Sequence, residues 1–149
     1  MVKAQIDLMQ FCGYRFDQPH NWGEYTYATD EAICVRVVRV GEYLLNENVA
    51  TVMDSLLGMR AVKWSKMPRL KECMACGNTG LKNGDRCDEP RCGIMFGSCK
   101  IARRYANIIK SLPGVLWSEH RTKDAIVFKF DGGGKGIVMR LKQEDGTDD

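Results

Sequence analysis

The chain has 149 residues, 44% of them hydrophobic and 28% charged, the balance of one soluble globular domain or one domain carrying an insertion. No apolar run approaches the roughly 20 residues that a membrane-spanning helix needs, so no membrane partner is expected. The net charge of +3 is unevenly placed, because residues 144–149 hold four acids and no base and leave +7 on the rest; a mildly basic body is compatible with nucleic acid.

Residues 4–12 read as a short helix or a buried strand, a stretch too short for periodicity to choose between them. Residues 13–23, with Pro19, His20, Asn21 and Trp22, read as a loop. Residues 25–32 and 33–40 read as two strands joined by a tight turn at Asp30-Glu31; the second is rich in β-branched residues. Cys34 lies in it as a small buried hydrophobe. Over 46–60 the apolar positions Val49, Val52, Met53, Leu56 and Leu57 predict a helix, with Asn46 or Asn48 as N-cap and Gly58 near its end.

Four of the seven cysteines sit within residues 73–92. They form two pairs, Cys73-x2-Cys76 and Cys87-x4-Cys92. A CxxC turn sets two sulfurs on one side of a tight loop, and two such turns close a tetrahedral S4 site that suits zinc. Between the pairs lie Gly77, Gly80, Lys82, Asn83, Gly84 and Asp85, turn formers that build no core of their own. Metal binding and folding of this insertion are therefore expected to be one event. The longer second spacing leaves Cys99 as an alternative to Cys92. His20 and His120 are far in sequence from the cluster and are not expected to be ligands. The first residues lack the apolar core of a signal peptide, so a reducing cytoplasm is expected, where an odd number of cysteines argues for thiolate metal binding over disulfides.

Beyond the insertion, residues 93–97 predict a short strand and Ser98 an N-cap for a helix over 99–112, which Pro113-Gly114 ends. At 100° per residue Ile101, Tyr105, Ile108 and Leu112 share one face. Lys100, Arg103, Arg104, Asn107 and Lys110 share the opposite one. With no acid at i±4, that basic face is expected to be free to meet an anion, and these five residues are the candidate nucleic-acid contacts. Strands over 115–118, 125–130 and 136–141 complete the chain, with residues 131–135 as the hairpin turn. The glycines there join alternating strands and precede no helix, which excludes a nucleotide-phosphate loop. No HExxH, no Cys/His dyad and no deaminase signature is present, and Asp7, Asp17, Asp30, Asp54 and Asp124 are scattered singly, so no enzyme is expected.

The strand–helix–three-strand order over 94–141 resembles half of one domain of the bacterial DNA polymerase sliding clamp. Tyr27-Ala28-Thr29-Asp30 followed by Ile33-Cys34-Val35-Arg36-Val37 is similar to the clamp's ATDG hairpin, with Glu31 where the clamp has glycine. Val138-Met139-Arg140-Leu141 is similar to its last strand, without that strand's proline. The whole chain also resembles small bacteriophage and prophage proteins with a Cys-rich insert. The resemblance implies an α+β fold of antiparallel sheets with helices packed on one face. The clamp-like domain would span 1–69 and 93–142, a zinc-binding insertion 70–92, and a disordered acidic tail 143–149. It implies a non-enzymatic module that binds DNA in the cytoplasm of a bacterial host; the alternative partner is a bacterial host protein.

Overall fold

A computed structural model describes residues 6–58, 63–89, 92–120 and 124–141; the acidic tail expected over 143–149 lies outside them. A 3-10 turn, Leu8–Phe11, opens the described chain. Strands β1 (His20–Trp22), β2 (Tyr25–Thr29) and β3 (Ile33–Val38) follow as an antiparallel meander. The turn between β2 and β3 falls where the sequence placed it. The Asp30 Oδ1 accepts the N–H groups of Ala32 and Ile33, both at 2.8 Å. Glu31 takes φ +80°, the left-handed region that the glycine of the clamp pattern enters without strain.

Helix α1 (Glu47–Leu57) is capped by Asn46, whose Oδ1 accepts from the Val49 N–H at 3.0 Å. Next come the short strand β4 (Ser65–Lys66), the hairpin β5 (Leu81–Lys82) and β6 (Asp85–Arg86), and a second hairpin, β7 (Ile94–Phe96) and β8 (Cys99–Ile101). Helix α2 (Arg103–Lys110) leads into β9 (Leu116–Glu119), β10 (Ala125–Phe130) and β11 (Gly134–Met139). Seven strands form one sheet in the order β1-β2-β3-β11-β10-β9-β4, with every neighbouring pair antiparallel. The chain is thus mixed helix and antiparallel sheet, with two helices among the described residues.

Two expectations are corrected. The helices do not share a face. α2, with β7 and β8, covers Ala28, Ile33, Val35, Ile126, Phe128 and Val138 through Ala106, Ile109 and Leu112. α1 covers the other face, where Val49, Ala50 and Met53 meet Tyr27, and Leu57 meets Ala125, Val127 and Ile137. Burial on both faces explains why β10 reads as an almost unbroken apolar run. The second correction is the start of α2. Residues 99–101 are strand, because Gly97 (φ +63°) and Ser98 form a two-residue hairpin turn. Glycine in the first central position suits the tight turn that matches strand twist. Ser98 is not a helix cap. Its N–H and hydroxyl both go to the Glu119 carboxylate, at 3.0 Å each.

The last hairpin turns through Asp131-Gly132-Gly133 alone, since Phe130 pairs with Gly134 and Phe128 with Gly136. Both glycines lie beneath those rings. A Cβ at Gly136 would stand 2.2 Å from the Phe128 ring and 2.5 Å from the Cys34 carbonyl oxygen. Gly136→Ala should therefore lower stability by about 1–3 kcal/mol, the usual cost of overpacking a well-filled core, read as a lower denaturant midpoint with an unchanged slope.

Candidate metal centre

The sequence builds the cysteine cluster from backbone turns. At the first pair, Asn78 (φ +66°) folds back so that its Oδ1 accepts the Cys73 N–H at 2.6 Å, while its own N–H donates to the Cys73 carbonyl at 3.1 Å. Gly80 (φ +82°) then directs its N–H to the Cys76 sulfur at 3.2 Å, and its carbonyl accepts the Cys87 N–H at 2.8 Å. Between Gly80 and Cys87 the β5–β6 hairpin reverses at Asn83-Gly84, both at positive φ. Asn-Gly is the strongest short signal for such a turn. The Cys92 N–H donates to the Glu89 carbonyl at 2.9 Å, which brings the second pair together across its longer spacing.

The four sulfurs of Cys73, Cys76, Cys87 and Cys92 all lie within 4.8 Å of one another. Cys73 and Cys87 are 3.8 Å apart at sulfur, and Cys76 and Cys92 3.6 Å. A tetrahedral ion with metal–sulfur bonds of about 2.3 Å needs edges of about 3.8 Å. The cluster could hold one metal ion, and the donor set fits it. Cys99 is not part of it. Its side chain is buried in the main core, where burial and the Glu119 carboxylate raise its thiol to about 11. The histidines are elsewhere: His120 meets the Leu56 carbonyl at 3.1 Å, and His20 packs edge-on against Phe16.

The thiols divide as crowded acids do. At Cys76 burial opposes ionisation, yet the Gly80 N–H and the neighbouring thiols donate to its sulfur and bring it down to about 6. At Cys92 burial, reinforced by Cys76, pushes the thiol up to about 12. Cys87 is also raised. A hydrogen bond from the Glu89 backbone pulls it down, but burial and the Cys73 sulfur outweigh it. A bound cation is what would let all four ionise together.

The cluster docks on α2, and this changes the reading of the basic helix. Arg103 is only 3% exposed. Its Nε donates to the Cys92 carbonyl at 3.0 Å, and its Nη2 is buried without a partner. Four thiolates around a divalent ion leave two negative charges, so a buried guanidinium here suits a filled site. The Asn107 amide donates to the Asn78 carbonyl at 2.8 Å. Gly80 packs so closely that a Cβ would stand 2.8 Å from the Arg104 nitrogen. Arg104 itself pairs with Asp30 at 3.3 Å, and Asp30 also accepts the Tyr105 hydroxyl. The expected free basic face is therefore corrected. Arg103 and Asn107 hold the cysteine loop, and Arg104 has an acid partner from the β2–β3 turn. Lys100 lies on β8, and Lys110 is exposed at the end of α2.

Asp30 and Asn78 are the contributors that sequence reasoning missed. Asn78 follows Gly77, a pairing that marks a left-handed turn but not its partner. Asp30 lies far from α2 in sequence, and no local pattern links them. A separate cavity of about 530 Å³ opens between α1 and the sheet, lined mainly by apolar side chains, with Cys34, Glu31 and Thr29 in its wall. The Cys34 thiol, 2.9 Å from the Thr29 hydroxyl, is raised by burial to about 11. No helix among the described residues is long and apolar enough to cross a membrane. Comparison of the chain with protein-family models, curated proteins and solved structures gives no match.

The ligand assignment separates two single variants. Cys92→Ser should lose the tetrathiolate absorption of cobalt-substituted protein, whereas Cys99→Ser should keep it, with one ion still bound per chain.

Proposed function

We propose that the chain is a non-enzymatic binding module of bacteriophage-type DNA metabolism, in which a structural zinc ion fixes the cysteine loop onto α2. The observation that carries this reading is the closed set of four sulfurs within 4.8 Å of one another. Four protein thiolates leave a zinc ion no open position for water or substrate. What such an ion supplies is cross-linking of a segment that has no core beyond the sulfurs themselves. The Ala28-Thr29-Asp30 turn and its left-handed Glu31 support the clamp-like part of the reading, although both helices of a clamp domain would lie on one face. The basic body supports a nucleic-acid partner.

A second reading, a module that engages a bacterial host protein, is favoured by one corner of the sheet. The segment 39–46 is tied to β1 by the Asn21 N–H on the Leu44 carbonyl and the Asn46 N–H on the Asn21 carbonyl. It leaves the adjacent Leu44 81% and Leu45 62% exposed. Neighbouring exposed apolar side chains of this size are typical of contact surfaces. Cross-linking capture from bacterial lysate should lose its specific product in Leu44→Asn/Leu45→Asn; identical products from both proteins would discard this reading.

The zinc role has its own test. Elemental analysis should give one zinc per chain, and iron in its place would overturn the assignment. Removing an ion present at a thousandfold excess over its Kd forfeits about 4 kcal/mol. At 2–4 °C per kcal/mol for this chain length, a strong chelator should lower the melting temperature by roughly 10 °C; an unchanged melt would end the structural reading.

A further inference from the structure

The α1 face of the sheet carries a feature that neither the metal centre nor α2 accounts for. Across the sheet, Arg36 on β3 stands opposite Lys135 on β11, and Lys135 stands opposite Lys129 on β10. Lys129 in turn pairs with Leu116 on β9, and Leu116 with Lys66 on β4. Directly paired residues point to the same side of a sheet. Four cations therefore form one row across five strands. With strands about 4.8 Å apart, the row is roughly 19 Å long.

Like charges in direct cross-strand register destabilise a sheet, so the row opposes folding. The cost is visible at Lys135, whose ammonium is lowered by burial and by Arg36 and Lys129. Among the described residues one carboxylate comes within ion-pair range of any of the four. It is Asp54, at 2.9 Å from Arg36, and the Tyr27 hydroxyl donates to the same group. The Arg36 Nε is buried with no acceptor. At the Arg36 end α1 reaches the row, because Tyr27, which packs on Val49, Ala50 and Met53, stands opposite Arg36. Beyond it the contacts of Leu57 end at Val127 and Ile137, one pleat short of Lys129 and Lys135, so among the described residues α1 leaves the rest of the row uncovered. Lys129 and Lys66 are exposed, and Arg36 and Lys135 half-buried.

Aromatic rings flank the row. Arg36 lies 4.3 Å from the centroid of Tyr25, and Lys129 lies 4.5 Å from that of Trp64. Both rings are half-buried, with part of their surface left to solvent.

We infer that the open half of the α1 face, with Arg36, Lys135, Lys129 and Lys66 in a row between Tyr25 and Trp64, is a binding surface for single-stranded nucleic acid. Charge selects a polyanion, and the rings select its class. Bases of a single strand are free to stack on aromatic side chains while phosphates meet the cations. A duplex keeps its base faces hidden. The surface deepens the reading of the chain as a DNA-binding module and rests on it, while moving the contact from α2 to the sheet.

The test uses the full zinc-loaded chain and a fluorescent oligothymidine at 50 mM salt. The wild type should bind, and more weakly as salt rises. In Lys129→Gln/Lys135→Gln affinity should fall about tenfold or more, and the log–log salt slope should shrink by about 1.4, at roughly 0.7 for each phosphate contact on a single strand. Lys110→Gln on α2 should bind within about twofold of the wild type, since its charge lies off the surface and contributes only long-range attraction. The double variant should melt at or above the wild-type temperature, because like charges have been removed; should it fail to fold, Lys66→Gln at the sheet edge carries the same measurement. Wild-type binding that survives the double variant but is lost in Lys110→Gln would overturn the sheet surface and leave the DNA-binding reading standing. Poly-glutamate that displaces oligothymidine at equal charge concentration would overturn nucleic acid as the occupant. No binding of oligothymidine at all would overturn the DNA-binding reading with it.

Discussion

The pairing of β3 with β11 is the constraint on which the rest depends. It joins two antiparallel meanders from opposite ends of the chain, with Ile33 opposite Val138 and Val35 opposite Gly136. Everything between them, α1, the cysteine loop, the β7–β8 hairpin and α2, is the excursion this seam must close. Such a long closure costs chain entropy before any contact rewards it. The seam repays it with dense packing. Ile33, Val35, Phe128 and Val138 are fully buried on the α2 face, and Ile137 is buried on the α1 face. Gly136 lets the Phe128 ring lie flat across the join, a position where any side chain would strike ring and backbone together.

The cysteine loop extends the same logic to a segment without a core. Its sulfurs pack against one another and against little else, so its internal order comes from turns and from the ion its donors suit. Its attachment to the body is polar. Arg103 and Asn107 reach two of its backbone carbonyls, and Gly80 allows close approach to the first turn of α2. Ala102 at the start of α2 supplies no side-chain cap. The helix begins instead where the β7–β8 hairpin and the cysteine loop converge, so metal, loop and helix start are mechanically joined.

What the sequence made legible follows from how local each signal is. The Asp30-Glu31 turn, a cap at Asn46 or Asn48 and the grouping of Cys73, Cys76, Cys87 and Cys92 depend on neighbours a few residues away; the structure forms the turn, caps the helix with Asn46 and gathers the four cysteines into one cluster. Two local signals were present but misread. Phe96-Gly97-Ser98-Cys99 is a hairpin turn, yet Ser98 before an amphipathic stretch looks like a helix cap, and only the distant Glu119 decides between them. Asn83-Gly84 marks a hairpin within what composition alone describes as loop. The remainder was not local at all. An apolar run such as Ala125–Phe130 shows that a strand is buried twice over, but not which helix takes which side. The basic residues of α2 look free on a helical wheel because Asp30, Cys92 and Asn78 are far away in sequence.

That last error bears on function, because charge drawn on a single element misleads in both directions. On α2 the helical wheel shows a basic face that tertiary contacts largely consume. On the sheet, Arg36, Lys66 and the hairpin pair Lys129 and Lys135 come from three separate stretches, each unremarkable alone, and register gathers them. The two faces of the sheet differ accordingly. The α2 face is closed by helix, hairpin and core, and its polar groups serve the cysteine loop. Among the described residues the α1 face is closed by the apolar side chains of α1 and Trp64 and by the Asp54–Arg36 pair. Extending that cover over the row would strip water from several cations that have one carboxylate between them among the described residues, at a cost of several kcal/mol. Among the described residues, the half of the sheet that α1 leaves open is therefore the half whose charges have the fewest partners.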